Sequence, residues 1–381
     1  MLFDPRRHEP LAGPAWDAAA AEAAIREIAR DADAALQGTD WWPWHPLDSE
    51  ADDPAVVHGA YLGAAGMVLA LQRLAEAGLH DPGYAYPRLA RDVLESYRQR
   101  PEFDGPLPSM WMGEGGIALV AWLLEPTEEL AARLRELVAE PPQDDTLELM
   151  WGSPGLLLIA RAIGAAQEAR ALADHVLGRW GAGAPGAWLQ DMYGSREIYL
   201  GPAHGFAGNV AALAPHADVL RRATETLSAT AVRAGELANW PPTVGAPLVD
   251  HRGDIRTQWC HGAPGIVASL AALPRDDELN ELLVAGGGLT WAAGPLRKGA
   301  GLCHGTAGNG FAFLKLFART GDELWLDRAR RFAMHAAEQV AAARRAHGQG
   351  RYTLWTGDAG TAIYLQRCIA ATSDVPTIDA W

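Results

Sequence analysis

The chain has 381 residues, 49% of them hydrophobic, and a formal net charge of −15 at pH 7. Such a length and apolar content suit a globular fold with a large core, not a disordered chain. The acidic balance argues against nucleic acid or an anionic membrane as a general partner, and no run of about eighteen apolar residues marks a membrane span.

In chain order, the first segment, Met1 to His8, lacks the apolar run of a signal peptide. Together with only three cysteines, too few for a disulfide framework, this makes a reducing, cytoplasmic location the expectation. The stretch from Asp40 to Pro46 holds three tryptophans and two prolines, so it is expected to be a loop. Its tryptophans are read as packing an N-terminal arm onto the rest, in preference to lining a substrate mouth.

From Gly63 onward a repeat takes over. A Gly-x-x-Gly followed by an apolar run recurs seven times, with first glycines Gly63, Gly113, Gly152, Gly205, Gly262, Gly305 and Gly357, spaced by 39 to 57 residues. The runs, such as Met67–Leu71 and Ile117–Val120, are apolar nearly all round, as enclosed helices are. Between them lie amphipathic stretches. One opens at Thr127 with Glu128 and Glu129 in its first turn; another opens at Asp322 and continues through Ala343. Each unit therefore reads as an outer amphipathic helix, a glycine loop and an inner apolar helix. Strand signals are weak. The expected fold is all-α, an α/α toroid of about seven inner and seven outer helices. An open helical solenoid ranks below it, because every inner run reads as buried. No boundary is visible, so residues 1–381 read as one domain, with residues 1–50 supplying an N-terminal helix and the Trp-rich arm.

Equivalent loops of such a ring share one rim, and their glycines are expected to allow close backbone approach and positive φ. The residues preceding the first glycines are Leu62, Met112, Trp151, His204, His261, His304 and Thr356. One position further back, repeats five and six carry Cys260 and Cys303. A doubled Cys-His-Gly at matching repeat positions points to zinc. Cys260, Cys303 and His304 would hold it with a fourth position open. The rival adds His261 and closes a Cys₂His₂ structural site. The alternative without metal has only buried thiols and hydrogen-bonded histidines. Cys368 has no His neighbour and reads as core.

At these residues the chain resembles the lanthionine synthetase C-like family. The likeness rests on Gly-Pro-Ala-His204-Gly-Phe-Ala-Gly, Trp-Cys260-His-Gly-Ala-Pro-Gly and Lys298-Gly-Ala-Gly-Leu-Cys303-His304-Gly-Thr-Ala-Gly-Asn, and the repeat extends it over residues 55–368. The resemblance implies a toroid of inner and outer rings, and zinc on Cys260, Cys303 and His304. It also implies addition of a thiol to dehydroalanine or dehydrobutyrine, forming a thioether. The thiol is a cysteine of the same peptide in peptide cyclases, and glutathione in the C-like branch. Implied partners are a dehydrated peptide or protein, glutathione, and a dehydratase or kinase that prepares the substrate.

The residues suit that chemistry. A thiol of ordinary pKa is mostly protonated at neutral pH, and a zinc site deprotonates it. Addition to the alkene creates an enolate that needs stabilisation and a proton. His204 is the candidate acid or base, with His261 nearby. Arg256, four residues before Cys260, resembles a family arginine that would steady the enolate; a rim salt bridge is its equal rival. Glu148 stands four residues before Gly152, where the peptide cyclases carry Asp, and so leans toward the glutathione-using branch. Lys298 resembles a lysine that contacts glutathione, and Arg6 and Arg7 are a looser match to an anion-binding role. Two other classes stay open: a non-catalytic peptide-binding toroid with structural zinc, and an α/α-toroid glycoside hydrolase using two of Glu148, Asp254 and Asp358.

Overall fold

The computed structural model describes residues 1–48, 56–103, 107–181, 186–214, 216, 218–250 and 252–381. Fourteen α-helices dominate the described residues. The outer set is α1 (Ala18–Ala35), α3 (Tyr86–Gln99), α5 (Glu128–Val138), α7 (Ala166–Gly178), α9 (Val219–Thr230), α11 (Asp277–Ala293) and α13 (Glu323–His347). The inner set is α2 (Ala64–Glu76), α4 (Glu114–Leu124), α6 (Ser153–Ala162), α8 (Phe206–Leu213), α10 (Ala263–Leu270), α12 (Thr306–Thr320) and α14 (Asp358–Ala370). No helix among the described residues is long and apolar enough to cross a membrane.

Local chemistry sets these helices. Thr127 caps α5 by accepting from the Leu130 amide, and Glu128 and Glu129 sit where the helix dipole favours acids. Asp322 caps α13, which runs past the expected Ala343 to His347 and stops at Gly348 in the left-handed region. Outer helices bury one stripe, such as Trp325, Ala329, Phe332 and Ala336 of α13. Inner helices are buried all round: every residue of α4 from Glu114 to Ala121 is enclosed. Glu114 is tolerated there because Arg98 and Arg133, on the flanking outer helices, pair with it at 3.1 and 2.7 Å.

Neighbouring inner helices touch all the way round, α2 to α4, α6, α8, α10, α12, α14 and back to α2. The ring is therefore closed, an α/α toroid and not an open solenoid, with α1 packing over α14 to complete the outer layer. Among the described residues, two small antiparallel hairpins depart from the helix-only expectation. They pair β1 (Gln190–Met192) with β2 (Ser195–Glu197), and β3 (Val232–Ala234) with β4 (Leu237–Asn239). Strands of three residues are too short to leave a period-two signal. Tyr193 and Gly194, both at positive φ, form the tight turn that makes the first of them possible.

The seven glycine pairs do two jobs. Each first glycine is the N-cap of an inner helix. The expected positive φ holds only at Gly262, at 103°; the other six caps have negative φ. Each second glycine lies where the incoming loop crosses its own helix. A Cβ there would collide with the carbonyl oxygen six residues earlier, as Gly66 with Ala60, Gly265 with Trp259 and Gly308 with Leu302. The obstacle is backbone and cannot swing aside. Gly308→Ala is therefore expected to destabilise the chain by about 3 kcal/mol or more, read as a lower urea midpoint at unchanged m-value.

The axis of the toroid is filled. Tyr61, Trp111 and Trp355, all two residues before a first glycine, converge there with Trp259; ring centroids lie 4.5 Å apart for Trp259–Trp355 and 4.8 Å for Trp111–Trp355. The C-terminal tail closes the axis beneath them. The buried Thr377 hydroxyl accepts from the indole N–H of Trp111 at 2.9 Å and of Trp355 at 3.2 Å.

Candidate metal centre and active-site rim

Cys260 and Cys303 occupy the register position that Tyr61, Trp111 and Trp355 hold in other repeats. That position is stitched from repeat to repeat by the backbone. The Tyr61 amide donates to the Trp111 carbonyl, Trp355 to Tyr61, Cys303 to Trp355 and Cys260 to Cys303, at 2.8 to 3.2 Å. The bonds that close the ring thus also set the two cysteines side by side. Further side chains lock the two loops. Asn309 of α12 donates to the Thr257 carbonyl at 2.9 Å, and Asn239 at the end of β4 accepts from the Ala263 amide at 2.8 Å.

The Cys260 and Cys303 sulfurs and a His304 ring nitrogen all lie within 4.8 Å of one another. Both cysteines are buried and His304 is partly exposed. Two soft sulfurs and an imidazole at that spacing form a donor set that zinc takes, so the residues present fit the metal. His261 is not in this group. The buried thiols interact directly. Hydrogen bonding from Cys303 drives the Cys260 pKa well down, and the same pairing pushes Cys303 well up. The Gln258 amide also donates to the Cys260 sulfur at 2.9 Å, and the Tyr61 hydroxyl bonds the Cys303 sulfur.

His204 stands one repeat away. Its Nδ1 lies 3.1 Å from Glu148 Oε2, leaving Nε2 as the other ring nitrogen for chemistry. Glu148 is fully buried and also accepts from the Met150 amide at 3.0 Å, the Trp151 amide at 2.6 Å and the Thr146 hydroxyl at 2.9 Å. Its one contact with the rim histidines among the described residues is the one to His204. Tyr199 sits between the two rim histidines, its ring 6.4 Å from both His204 and His261. Burial pushes the His261 pKa down to about 4. His261, Tyr199, Glu197, Asp250 and Arg256 line an open groove of about 670 Å³. Arg256 donates from Nε to Asp250 at 3.1 Å, so the rim salt bridge exists, within the groove wall.

Lys298 reaches solvent beside a small cavity that it lines with Arg351, Thr356 and Asp358. Partial desolvation lowers its pKa, and the nearby Cys260 offsets only part of that. Arg6 and Arg7 differ from the anion-binding expectation: Arg6 pairs with Asp4 at 2.7 Å and Arg7 with Asp254 at 2.9 Å. The three carboxylates considered for a hydrolase are each enclosed or paired. Glu148 is enclosed, Asp254 is paired, and Asp358 is buried with its pKa raised to about 7 by desolvation. In the Trp-rich loop, Trp41 is buried and Trp42 donates to the Ala32 carbonyl of α1 at 2.7 Å, which is packing. Cys368 lies in the core of α14.

Reading the repeat alone overlooked Tyr199, Gln258 and Tyr61. Tyr61 carried a usable signal, since it shares the register position of the two cysteines. Tyr199 follows an inserted hairpin and Gln258 precedes the rim position, so neither has a counterpart in the glycine series.

The sequence model of the family described as Lanthionine synthetase C-like protein matches residues 57–380. LanC-like protein GCL1 of Arabidopsis thaliana is 29% identical over 228 residues, 54% of this chain and 51% of that protein. Glutathione S-transferase LANCL1 of Danio rerio is 34% identical over 142 residues, 36% of this chain and 35% of that protein. The chain thus matches about half the length of the first and about a third of the second. Among solved structures, Nisin cyclase superposes with a TM-score of 0.60 at 16% identity, over 83% of this chain and 89% of that one; the likeness is one of fold.

Proposed function

The chain belongs to the lanthionine synthetase C-like family, and on that premise we propose that it joins a thiol to dehydroalanine or dehydrobutyrine in a peptide or protein, forming a thioether. The observation that carries the reading is the three-residue cluster of Cys260, Cys303 and His304, with His261 outside it. Three protein ligands leave a coordination position for an outside group, which a closed structural site lacks. That favours catalysis over a binding toroid with structural zinc.

Cys260, Cys303 and His304 are proposed to hold zinc. When bound, the metal supplies a Lewis acid that keeps an incoming thiol ionised at neutral pH. The chain's own residues perform the rest. The substrate sulfur forms its bond to Cβ of the dehydroamino acid, and the alkene electron pair moves onto the adjacent carbonyl as an enolate. His204, oriented by Glu148, takes up the proton that the thiol gives up and delivers it to Cα, which completes the addition. Arg256 lies in the groove wall, where among the described residues only its Nε is engaged on the side chain, by Asp250, so its remaining N–H groups are assigned to the enolate oxygen. His261 is assigned to the same groove as a hydrogen-bonding group. Glu148 is a positioning residue.

The thiol donor is proposed to be glutathione, in line with the name of the Danio rerio relative and with Glu148 and Lys298. Lys298 would pair with a carboxylate of glutathione. A peptide's own cysteine is the second donor, for which the fold likeness to Nisin cyclase speaks. We further propose that residues 1–381 act as one unit in the cytoplasm, on substrates dehydrated by a partner dehydratase or kinase. Three free, buried cysteines suit that compartment.

The test is incubation with a dehydroalanine peptide that carries its own cysteine, with and without glutathione, read by mass spectrometry. A glutathione adduct is expected. Loss of free thiol without added mass would assign the reaction to cyclisation, and neither product with any dehydrated peptide would contradict the reading.

A further inference from the structure

The extreme N-terminus, outside the family match at 57–380, is built into the metal centre. The Arg7 carbonyl accepts from the Arg297 amide at 3.0 Å, the Glu9 amide donates to Pro295 at 3.0 Å, and the buried Leu2 carbonyl accepts from Asn239 at 2.8 Å. Residues 1–9 thereby strap the segment before Cys303 to the hairpin that holds the Cys260 loop. From this strap the Arg7 guanidinium donates to Asp254 through Nη1 at 2.9 Å and to Gln258 Oε1 through Nη2 at 3.0 Å.

That second contact decides which way the Gln258 amide points. A guanidinium has donors only, so the amide oxygen must face Arg7. The NH₂ group then faces the opposite way, where the Cys260 sulfur lies 2.9 Å from Nε2. Gln258 is buried, and its backbone exchanges two 3.0 Å hydrogen bonds with His261, which hold the residue in place while Arg7 sets the orientation of its amide.

We propose that Arg7, acting through Gln258, is a positioning residue of the metal centre: it fixes a permanent N–H donor on the Cys260 sulfur and so tunes that ligand's hold on the metal. Partners of this kind orient a ligand and set its donor strength. The chemistry asks for it here, because a site already built from two thiolates must still accept a third, anionic sulfur. A donor that draws charge from one of them makes room for it. The inference rests on the metal-centre reading above.

Cobalt(II) is a suitable probe, loaded into the full-length wild type, Gln258→Leu, Arg7→Met, Arg7→Lys and, as control, Arg6→Met. In Gln258→Leu the sulfur-to-cobalt charge-transfer band should move to lower energy, because the sulfur keeps the charge the amide drew off, and chelator competition should show metal affinity reduced about 10-fold, because the ligand is no longer held in orientation. Arg7→Met should move the band the same way by less, although the side chain touches no ligand. Arg7→Lys cannot hold both Asp254 and Gln258 and should behave alike, whereas Arg6→Met should match wild type. Arg7 and Gln258 variants with the wild-type band would overturn the inference, as would an Arg6→Met shift equal to that of Arg7→Met. A wild type that binds no cobalt would instead remove the metal-centre reading on which it rests.

Discussion

Cys303→Ala should yield a folded chain that no longer retains metal. The fold should survive because Cys303 takes part in the closure of the ring through its backbone: its amide donates to Trp355 and its carbonyl accepts from Cys260, and alanine keeps both. The side chain is small and buried, so the remaining cavity is modest. The metal site loses one of three ligands. Structural zinc is held by roughly 10–16 kcal/mol over four ligands, about 2.5–4 kcal/mol each, so affinity should fall on the order of 10²- to 10³-fold. Metal content after dialysis against a weak chelator should drop to background, and thioether formation with it. Cys368→Ala is the matched control, since that thiol lies in the core of α14 away from the cluster; its metal content should equal wild type.

His204→Ala should separate chemistry from metal binding. His204 is outside the ligand cluster, so metal content should stay at the wild-type level. The turnover rate should fall by about 10² to 10⁴, the usual contribution of a positioned acid or base. Glu148 would keep its three other donors at Met150, Trp151 and Thr146, which limits structural damage. His204→Asn sharpens the result: its amide can still donate to Glu148 but cannot move a proton at neutral pH. Equal losses in the two variants would identify proton transfer as the missing function, whereas retained activity in His204→Asn would reduce His204 to a packing role.

Much of this architecture was legible in the chain because it rests on backbone crossings that only glycine permits. Gly66, Gly116, Gly155, Gly208, Gly265, Gly308 and Gly360 each sit against a carbonyl oxygen, and that constraint leaves a mark in sequence at every turn of the ring. The pairing of Cys260 with Cys303 was legible for the same reason, as two copies of one register position. The positive φ expected of the loops was too general. Close approach, not handedness, accounts for six of the seven first glycines, and Gly262 alone needs both.

What escaped sequence reading has no period. Arg7 meets Gln258, and Thr377 meets Trp111, across more than two hundred residues, and such contacts follow from the closed ring, not from local pattern. Tyr199 reaches the rim just after the β1–β2 hairpin turns the chain back. Arg6 and Arg7 looked like free cations in sequence; Asp4 and Asp254 pair with them only in three dimensions.

Thioether formation is proposed to depend on a metal held in an open site of Cys260, Cys303 and His304. That dependence is tested most directly by measuring zinc content and product formation on one wild-type preparation, before chelation, after chelation and after zinc is returned. About one zinc per chain is expected for a three-ligand site of this kind, with product formation lost on chelation and restored by zinc. A wild-type chain that carries no zinc, or that forms the thioether equally well once stripped of it, would contradict the account.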